Sequence, residues 1–220
     1  MPRIALIHAL SHSVAPINEA FARDWPEATR MNLLDDSLSA DLAASGRGLD
    51  AFMYERFARL AQYAVDCGSD AILFTCSAFG PCIEAVARQH ASLPVLKPNE
   101  AMIADAAATG QRIGLVATFG PTLDSMPPEF PVGVRLDCAL ATGALEALNA
   151  GQLQTHDTLI AEAAMQLARR GAGVIALAQF SMARAQRLVA QRTGLPVLTT
   201  VDSAVRELRR RLAPCSVRSV

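Results

Sequence analysis

The sequence predicts an α/β protein made of two similar lobes, each with a mostly parallel sheet flanked by helices. Three observations predict this fold class. Apolar residues make up 51% of the 220 residues but aromatic residues only 5%, so Ala, Val, Leu and Ile must form most of the core. Short apolar runs alternate with longer segments whose apolar residues recur every three or four positions. The order of these runs also repeats once along the chain, which indicates an internal duplication.

The short apolar runs are the predicted strands. Between them, residues 50–68 and 156–172 have the apolar spacing of amphipathic helices, with glycine near the end of each. Strands that alternate with helices favour parallel sheets. The predicted strands are 3–10, 70–76, 93–98, 112–118, 173–179 and 195–200, with weaker candidates at 28–34 and 134–140.

The duplication relates four ordered segments. "RIALIHAL" (3–10) corresponds to "RIGLVATFG" (112–120), "DAILFTCSAFG" to "GVIALAQFSMA", and Leu-Pro-Val-Leu occurs in each half. We place the first lobe at 1–98 plus 203–220 and the second at 99–202. Because parallel sheets bind ligands at the carboxyl ends of their strands, we expect the site in a cleft between the lobes, with Cys76 opposite Gln179.

Charge and cysteine content exclude several classes of function. The formal net charge is −1, so nothing favours binding to nucleic acid or to a membrane. The N-terminal residues enter a predicted strand at once and no apolar run is long enough to span a bilayer, so we expect a cytoplasmic protein. The chain has five cysteines, an odd number, and they lack the paired CxxC spacing of a zinc site. This predicts reduced thiols and no bound metal. No phosphate-binding loop is present, and we expect no cofactor.

Polar residues cluster where the principal strands are predicted to end. A thiol placed at a helix N-terminus has a lowered pKa, so Cys76 is expected to act as a thiolate. Abstraction of a proton α to a carboxylate needs such a base, together with donors that stabilise the enediolate. The strand-end residues are Ser11, His12, Ser13, Thr75, Cys76 and Ser77 in the first lobe, and Thr118, Phe119, Gly120, Thr122, Gln179, Phe180 and Ser181 in the second.

The motifs "FTCSAFG" (74–80) and "VATFGPT" (116–122), together with the repeated "LPVL", resemble a known superfamily. It is the aspartate/glutamate/hydantoin racemase superfamily, which also contains arylmalonate decarboxylase and maleate isomerase. The resemblance covers nearly the whole chain. It implies two pseudosymmetric lobes, no cofactor, and one cysteine from each lobe on either side of the substrate Cα.

The chain departs from that pattern at Gln179, where the racemases carry their second cysteine. An amide cannot act as an acid or a base, which excludes a mechanism with two thiols. Three alternatives remain. Cys76 could work with another proton carrier, for which His12 is the best candidate. It could act alone in the decarboxylation of a malonate-type acid, although the superfamily's decarboxylase has its single cysteine in the second lobe. It could also be a nucleophile, as in the maleate isomerases.

The sequence therefore predicts a racemase or isomerase that acts on a small carboxylic acid or amino acid. A single-thiol decarboxylase and a catalytically inactive ligand-binding homologue are the alternatives, and a homo-oligomer is compatible with the duplication. The candidate catalytic residues are Cys76, Gln179 and His12. The candidate substrate-binding residues are Ser11, Thr75, Ser77, Thr118, Thr122, Phe180 and Ser181.

Several other residues are expected to have structural roles. We expect His8 to be a core histidine with satisfied nitrogens, and residues 35–49 to form a mobile cover over the cleft. Cleft size is expected to depend on Phe79, Phe119 and Phe180. Of the remaining cysteines, Cys67, Cys82 and Cys138 are expected in the core and Cys215 in an exposed tail.

Overall fold

A computed structural model describes residues 1–213, so Cys215 lies outside the described part of the chain. Residue contacts divide the chain into two units. One contains Met1–Val14, Asn18–Lys97 and the C-terminal residues from Val205 onward, and the other contains Ala15–Ile17 and Pro98–Ala204. Each unit has a four-stranded sheet in which all the paired strands are parallel. The α/β fold class predicted from the sequence is confirmed.

The sheet of the first unit has the strand order β2-β1-β3-β4. Its central strands pair in register, with Ile4 opposite Ala71 and Ile7 opposite Phe74, so both end at the same edge of the sheet. The elements are β1 (Arg3–His8), α1 (Val14–Asp24), β2 (Thr29–Leu34), α2 (Ser37–Ser45), α3 (Ala51–Asp66), β3 (Ala71–Phe74), α4 (Gly80–Gln89) and β4 (Val95–Leu96).

Helix α3 shows how local sequence sets the boundaries of an element. The Asp50 side chain accepts a hydrogen bond from the Met53 N–H at 3.0 Å and so caps the helix N-terminus. Gly68, with φ of 73°, follows the helix end in a left-handed conformation that residues with a Cβ rarely adopt. Phe57 on the buried face packs against Phe74 and Phe79, with ring centroids 5.3 and 4.9 Å away. These rings form the centre of the first core.

The second unit repeats the topology with the strand order β6-β5-β7-β8. Val116 on β5 lies opposite Leu177 on β7, as Ile7 lies opposite Phe74 in the first unit. The elements are α5 (Glu100–Ala108), β5 (Ile113–Ala117), α6 (Gly120–Ser125), β6 (Leu136–Leu140), α7 (Ala144–Asn149), α8 (Leu153–Arg169), β7 (Val174–Leu177), α9 (Gln186–Thr193) and β8 (Val197–Thr199). The last helix, α10 (Thr200–Leu212), begins in this unit and belongs to the first unit from Val205.

Helix α8 approaches β5 so closely that the strand needs a glycine at Gly114. A Cβ there would lie 2.9 Å from the Ile175 Cδ1 and 3.0 Å from the Leu167 Cβ, inside normal van der Waals distance. The first unit has Ala5 at the equivalent position of its central strand. The two halves therefore share topology but differ in how tightly helix packs on sheet.

The eight predicted strands are all present, and each is shorter at one or both ends than the segment that predicted it. The segment 35–49, predicted to form a mobile cover, contains the regular helix α2. Cys82 is fully buried, whereas Cys67 and Cys138 are half-buried rather than core residues. Within residues 1–213, no helix has both the length and the apolar composition needed to cross a bilayer.

Candidate active site

The thiol of Cys76 lies just beyond the carboxyl end of β3. The Thr75 N–H donates to the Ile7 carbonyl at 3.0 Å, which extends the pairing with β1 by one residue. Cys76 then leaves the sheet in an extended conformation and precedes the single 3₁₀ turn Ser77–Phe79, after which α4 begins. Pro81 in the first turn of α4 fits this position because no helical hydrogen bond is required of its nitrogen. The predicted strand–thiol–helix order is therefore present, with a 3₁₀ turn in between.

The Cys76 thiol is half-buried, and two nearby donors, the Ala78 backbone N–H and the Ser39 side chain on α2, favour its ionised form. The Ser39 hydroxyl itself donates to the Ala9 carbonyl at 3.4 Å. Burial nevertheless raises the pKa of the thiol above its ordinary value, because the two donors only partly offset the loss of hydration. The expectation of a lowered pKa is therefore wrong for the ligand-free protein. The loss of hydration disfavours the thiolate more than the two donors favour it. The resting group is therefore the neutral thiol.

Directly beneath Cys76 lies a buried polar network centred on His8. The His8 side chain is fully buried, and its Nδ1 lies 2.9 Å from the Thr75 Oγ1. Its Nε2 lies 3.0 Å from the Asn32 Oδ1. The Thr75 hydroxyl donates to the Ser13 Oγ at 3.0 Å, and the Ser13 hydroxyl donates to the Leu10 carbonyl at 2.7 Å. The prediction that His8 is a satisfied core histidine is confirmed.

The hydrogen bonds determine which His8 nitrogen carries the proton. The Val14 carbonyl can only accept, so the group 2.8 Å away must be the Asn18 Nδ2, which also donates to the Asn32 Oδ1 at 2.8 Å. The Asn32 Oδ1 is therefore an acceptor, and the His8 Nε2–H donates to it. Burial lowers the pKa of His8, against the effect of the Asn32 hydrogen bond, so the ring is neutral.

The equivalent strand end in the second unit carries an amide. The Gln179 Oε1 accepts from the Thr118 N–H at 2.7 Å and from the Thr118 hydroxyl at 3.1 Å. A backbone N–H can only donate, so the orientation of the amide is determined and its NH₂ group is left as a donor. Gln179 precedes the 3₁₀ helix Phe180–Ala185, as Cys76 precedes its own 3₁₀ turn. The Gln179 amide can donate and accept hydrogen bonds, but it cannot exchange a proton.

The structure groups the remaining predicted site residues by unit. Ser11 and His12 lie on the exposed face of the 3₁₀ turn Ser11–Ser13, at the same edge of the sheet as Cys76, and Ser77 is half-buried. In the second unit, Thr118 and Thr122 are buried and Ser181 is half-buried. The Phe180 side chain is only 4% exposed, so its ring would have to move to contact a substrate, whereas Phe119 is 49% exposed. Phe79 is buried in the core cluster against which Cys76 packs.

Sequence reasoning missed three residues that surround Cys76 and Thr75. Ser39 was included only within the predicted cover, Asn32 lies on a strand that was a weak candidate, and Asn18 lies on α1. The apolar periodicity gives no sign of them, because their partners are distant in sequence. One available signal was Asn32 itself, since an amide near the end of a paired strand needs hydrogen-bond partners. Within the described chain, no group of three or more His, Cys, Asp or Glu side chains could hold a metal ion.

The fold and the paired strand ends match a known family. The sequence profile of the Asp/Glu/Hydantoin racemase family matches residues 12–208, and the chain belongs to this family. No curated protein matches the chain in sequence.

Solved structures show the same fold at low sequence identity. An allantoin racemase from Klebsiella pneumoniae superposes with a TM-score of 0.71 at 19% identity, over 97% of this chain and 88% of that one. An aspartate racemase homologue from Pyrococcus horikoshii OT3 superposes with a TM-score of 0.73 at 13% identity, over 96% of this chain and 99% of that one. A glycine-to-cysteine variant of arylmalonate decarboxylase superposes with a TM-score of 0.66 at 18% identity, over 95% of this chain and 92% of that one.

Proposed function

We propose that this protein is a cofactor-independent enzyme that moves a proton at the carbon α to the carboxylate of a small acid, as a racemase or isomerase of the Asp/Glu racemase type. The observation that carries the proposal is the position of Cys76. Its thiol follows the central strand β3 and precedes the 3₁₀ turn that leads into α4. Membership of the racemase family supports the same class of reaction.

In the proposed reaction, Cys76 is the group that exchanges a proton with the substrate Cα. Removal of the proton leaves the electron pair on an enediolate, whose oxygens need hydrogen-bond donors. The candidate donors are the hydroxyls of Ser11, Ser77 and Thr122 and the free NH₂ group of Gln179. Racemisation also requires a proton carrier for the opposite face, and His12 is the candidate because imidazole titrates near neutrality.

Decarboxylation of a malonate-type acid is a second candidate, and two observations favour it. Gln179 replaces a thiol by an amide that cannot carry a proton, and the raised pKa of Cys76 keeps its thiol protonated at rest. Loss of CO₂ from the substrate would leave its electron pair on the enediolate, and the Cys76 thiol would protonate the Cα. Water would then return a proton to the thiolate. This reaction needs an acid in the resting enzyme, whereas racemisation needs a base.

Proton NMR in D₂O tests both candidates. The purified protein is incubated with aspartate, glutamate, hydantoins, maleate and substituted malonates, with Cys76→Ser as the control. Deuterium at Cα together with both enantiomers would establish a racemase, and a product of one handedness with loss of carboxylate would establish a decarboxylase. If no compound turns over but some of them shift the protein's resonances, a catalytically inactive ligand-binding homologue is the better description.

A further inference from the structure

Two leucines are exposed at the carboxyl edge of the first sheet, where the Cys76 thiol also lies. Leu10 follows β1 by two residues and Leu34 is the last residue of β2, and each side chain is 48% exposed. The strand order β2-β1-β3 places these leucines on the two strands that lie successively beside β3. A single exposed leucine is ordinary, but a pair beside a candidate active site indicates contact with an apolar group.

The two leucines share one face of the sheet. Leu34 lies opposite His8 in the register of β1 with β2, and Leu10 follows His8 by two residues in an extended conformation, with φ of −144° and ψ of 135°. Because alternate residues of an extended chain lie on the same face, both leucines lie on the face of His8. Cys76 packs against the cluster on the other face, which contains Ile7. Neighbouring strands are about 4.8 Å apart, so a small ligand above this edge can contact both the thiol and the leucines.

The second unit repeats this pair at equivalent positions. Phe119 follows β5 by two residues in an extended conformation, and Leu140 is the last residue of β6, opposite Ala117. Their side chains are 49% and 42% exposed. Across residues 1–213, nine large apolar side chains are exposed, and four of them form these two equivalent pairs. The exposed apolar residues are therefore concentrated at the strand ends, where the candidate site residues also lie.

The charges at this edge of the first sheet do not favour a second carboxylate on the ligand. The segments that follow β1, β2 and β3 contain no lysine or arginine; they are residues 9–13, 35–45 and 75–79. Asp35 and Asp36, which follow Leu34, are acidic. Arg56 on α3 pairs with Asp35 at 2.7 Å, and Lys97 after β4 pairs with Glu84 at 2.8 Å. A second carboxylate beside Leu34 would therefore meet apolar and acidic side chains.

We propose that the substrate of this protein carries an apolar group on the carbon α to its carboxylate, and that Leu10 and Leu34 select for that group. The proposal rests on the proposed function, because it names the substrate class of the same site. A branched aliphatic or an aryl group would remove the two leucines from water, which is favourable. The carboxylate side chains of aspartate and glutamate would not.

The first test is a calorimetric titration of the protein with phenylacetate and with succinate. Each ligand has a carboxylate on a CH₂ group, and they differ in whether that carbon carries an aromatic ring or a second carboxylate arm. Phenylacetate should bind at least about tenfold more tightly than succinate. Equal affinities, tighter binding of succinate, or no binding of either ligand would overturn the proposal.

The second test changes the leucines. Leu10→Asn and Leu34→Asn remove apolar surface without adding charge, so each should weaken phenylacetate binding about tenfold and leave succinate unchanged. Leu34→Lys should also tighten succinate, because it adds a cation for the second carboxylate. Both leucines are about half exposed, so none of these variants empties the core. Unchanged affinity for phenylacetate in both asparagine variants would overturn the proposal.

The matched controls are Val132→Asn and Val132→Lys. Val132 is fully exposed and precedes β6, so it lies toward the amino end of its sheet, and neither control should change either affinity. Sedimentation of the same proteins tests whether a second copy covers the leucines instead. If the protein self-associates and Leu34→Lys abolishes the association without weakening phenylacetate, the leucines form an interface between copies and the proposal is wrong.

Binding requires no turnover, so the two proposals fail separately. A preference for phenylacetate that depends on Leu10 and Leu34, with no reaction on any substrate, would support the apolar substrate class and contradict the proposed enzyme. Turnover of aspartate or glutamate that depends on Cys76, with succinate bound more tightly than phenylacetate, would do the reverse.

Discussion

The end of β3 and the end of β7 have the same backbone plan but different chemistry. In both, the residue after the strand donates its N–H to the neighbouring central strand, from Thr75 to Ile7 at 3.0 Å and from Ala178 to Val116 at 2.9 Å. The next residue precedes a 3₁₀ segment in both units. The first unit places a thiol there above a buried His8–Thr75 pair, and the second places an amide bound to Thr118.

The two equivalent strand ends therefore differ in the chemistry that their side chains allow. The first unit supplies a group that can exchange a proton, and the second supplies only hydrogen-bond donors and acceptors. The polar side chains at the two strand ends also differ in how deeply they are buried. His8 and Thr75 are buried, whereas Gln179 is half-buried. Substitutions at equivalent positions should therefore have unequal effects in the two units.

The largest expected effect is that of Cys76→Ser. If Cys76 is the proton-transfer group, the variant should lose about 10²- to 10⁴-fold in kcat, because a serine hydroxyl is a far weaker acid and base. The measurement is turnover in the NMR assay described above. Cys138→Ser, a half-buried cysteine of the second unit, is the control and should retain activity. Full activity in Cys76→Ser would contradict the proposed mechanism.

The same substitution at Thr75 and Thr118 should affect stability unequally. Thr75→Val removes the hydroxyl that contacts the buried His8 Nδ1 and donates to Ser13, which should cost about 1–3 kcal/mol of unfolding free energy. Thr118→Val should cost less, about 1 kcal/mol or below, because the Gln179 Oε1 keeps the backbone N–H at 2.7 Å. Urea denaturation of both variants measures the difference. Equal losses would mean that the His8 network does not stabilise the first unit more.

Gln179→Cys tests whether the missing second thiol limits the reaction. We expect racemisation to appear or to rise about tenfold, equivalent to about 1.4 kcal/mol of barrier, measured as Cα deuterium in both enantiomers. Gln179→Ser is the control, because it also loses the contact with Thr118 but adds no thiol. If both variants behave alike, the change comes from the lost amide and not from a new acid or base.

The smallest expected effect is the contribution of His8 to the pH dependence of stability. Its pKa in the folded protein is lowered from 6.5, so the unfolded chain binds the proton more readily. The stabilising contribution is therefore complete above pH 6.5 and decreases as the pH falls below it, by about 1 kcal/mol between pH 7.5 and 5.5. Urea denaturation at these two pH values should show a smaller decrease for His8→Gln. An identical decrease would mean that His8 is protonated in the folded protein.

Much of this molecule follows from short-range patterns in the sequence. Apolar runs predicted the positions of β1, β3, β5 and β7, because strands of a parallel sheet covered on both faces are continuously apolar. The duplication predicted that the two sheets share one topology. The position of Cys76 after its strand also followed from the sequence, since chain order alone determines what comes after a buried run. Gln179 was found by the same comparison.

The tertiary structure alone decided what surrounds these residues. His8 and Thr75 are 67 residues apart in sequence, and Thr118 and Gln179 are 61 apart, so no periodicity within one element relates them. The hydrogen bond from the Ser39 hydroxyl to the Ala9 carbonyl likewise depends on where α2 packs. The direction of the Cys76 pKa was mispredicted for this reason, because burial depends on the packed core and the sequence shows only the local turn. Local order determined which residues reach the strand ends, and packing determined their ionisation and partners.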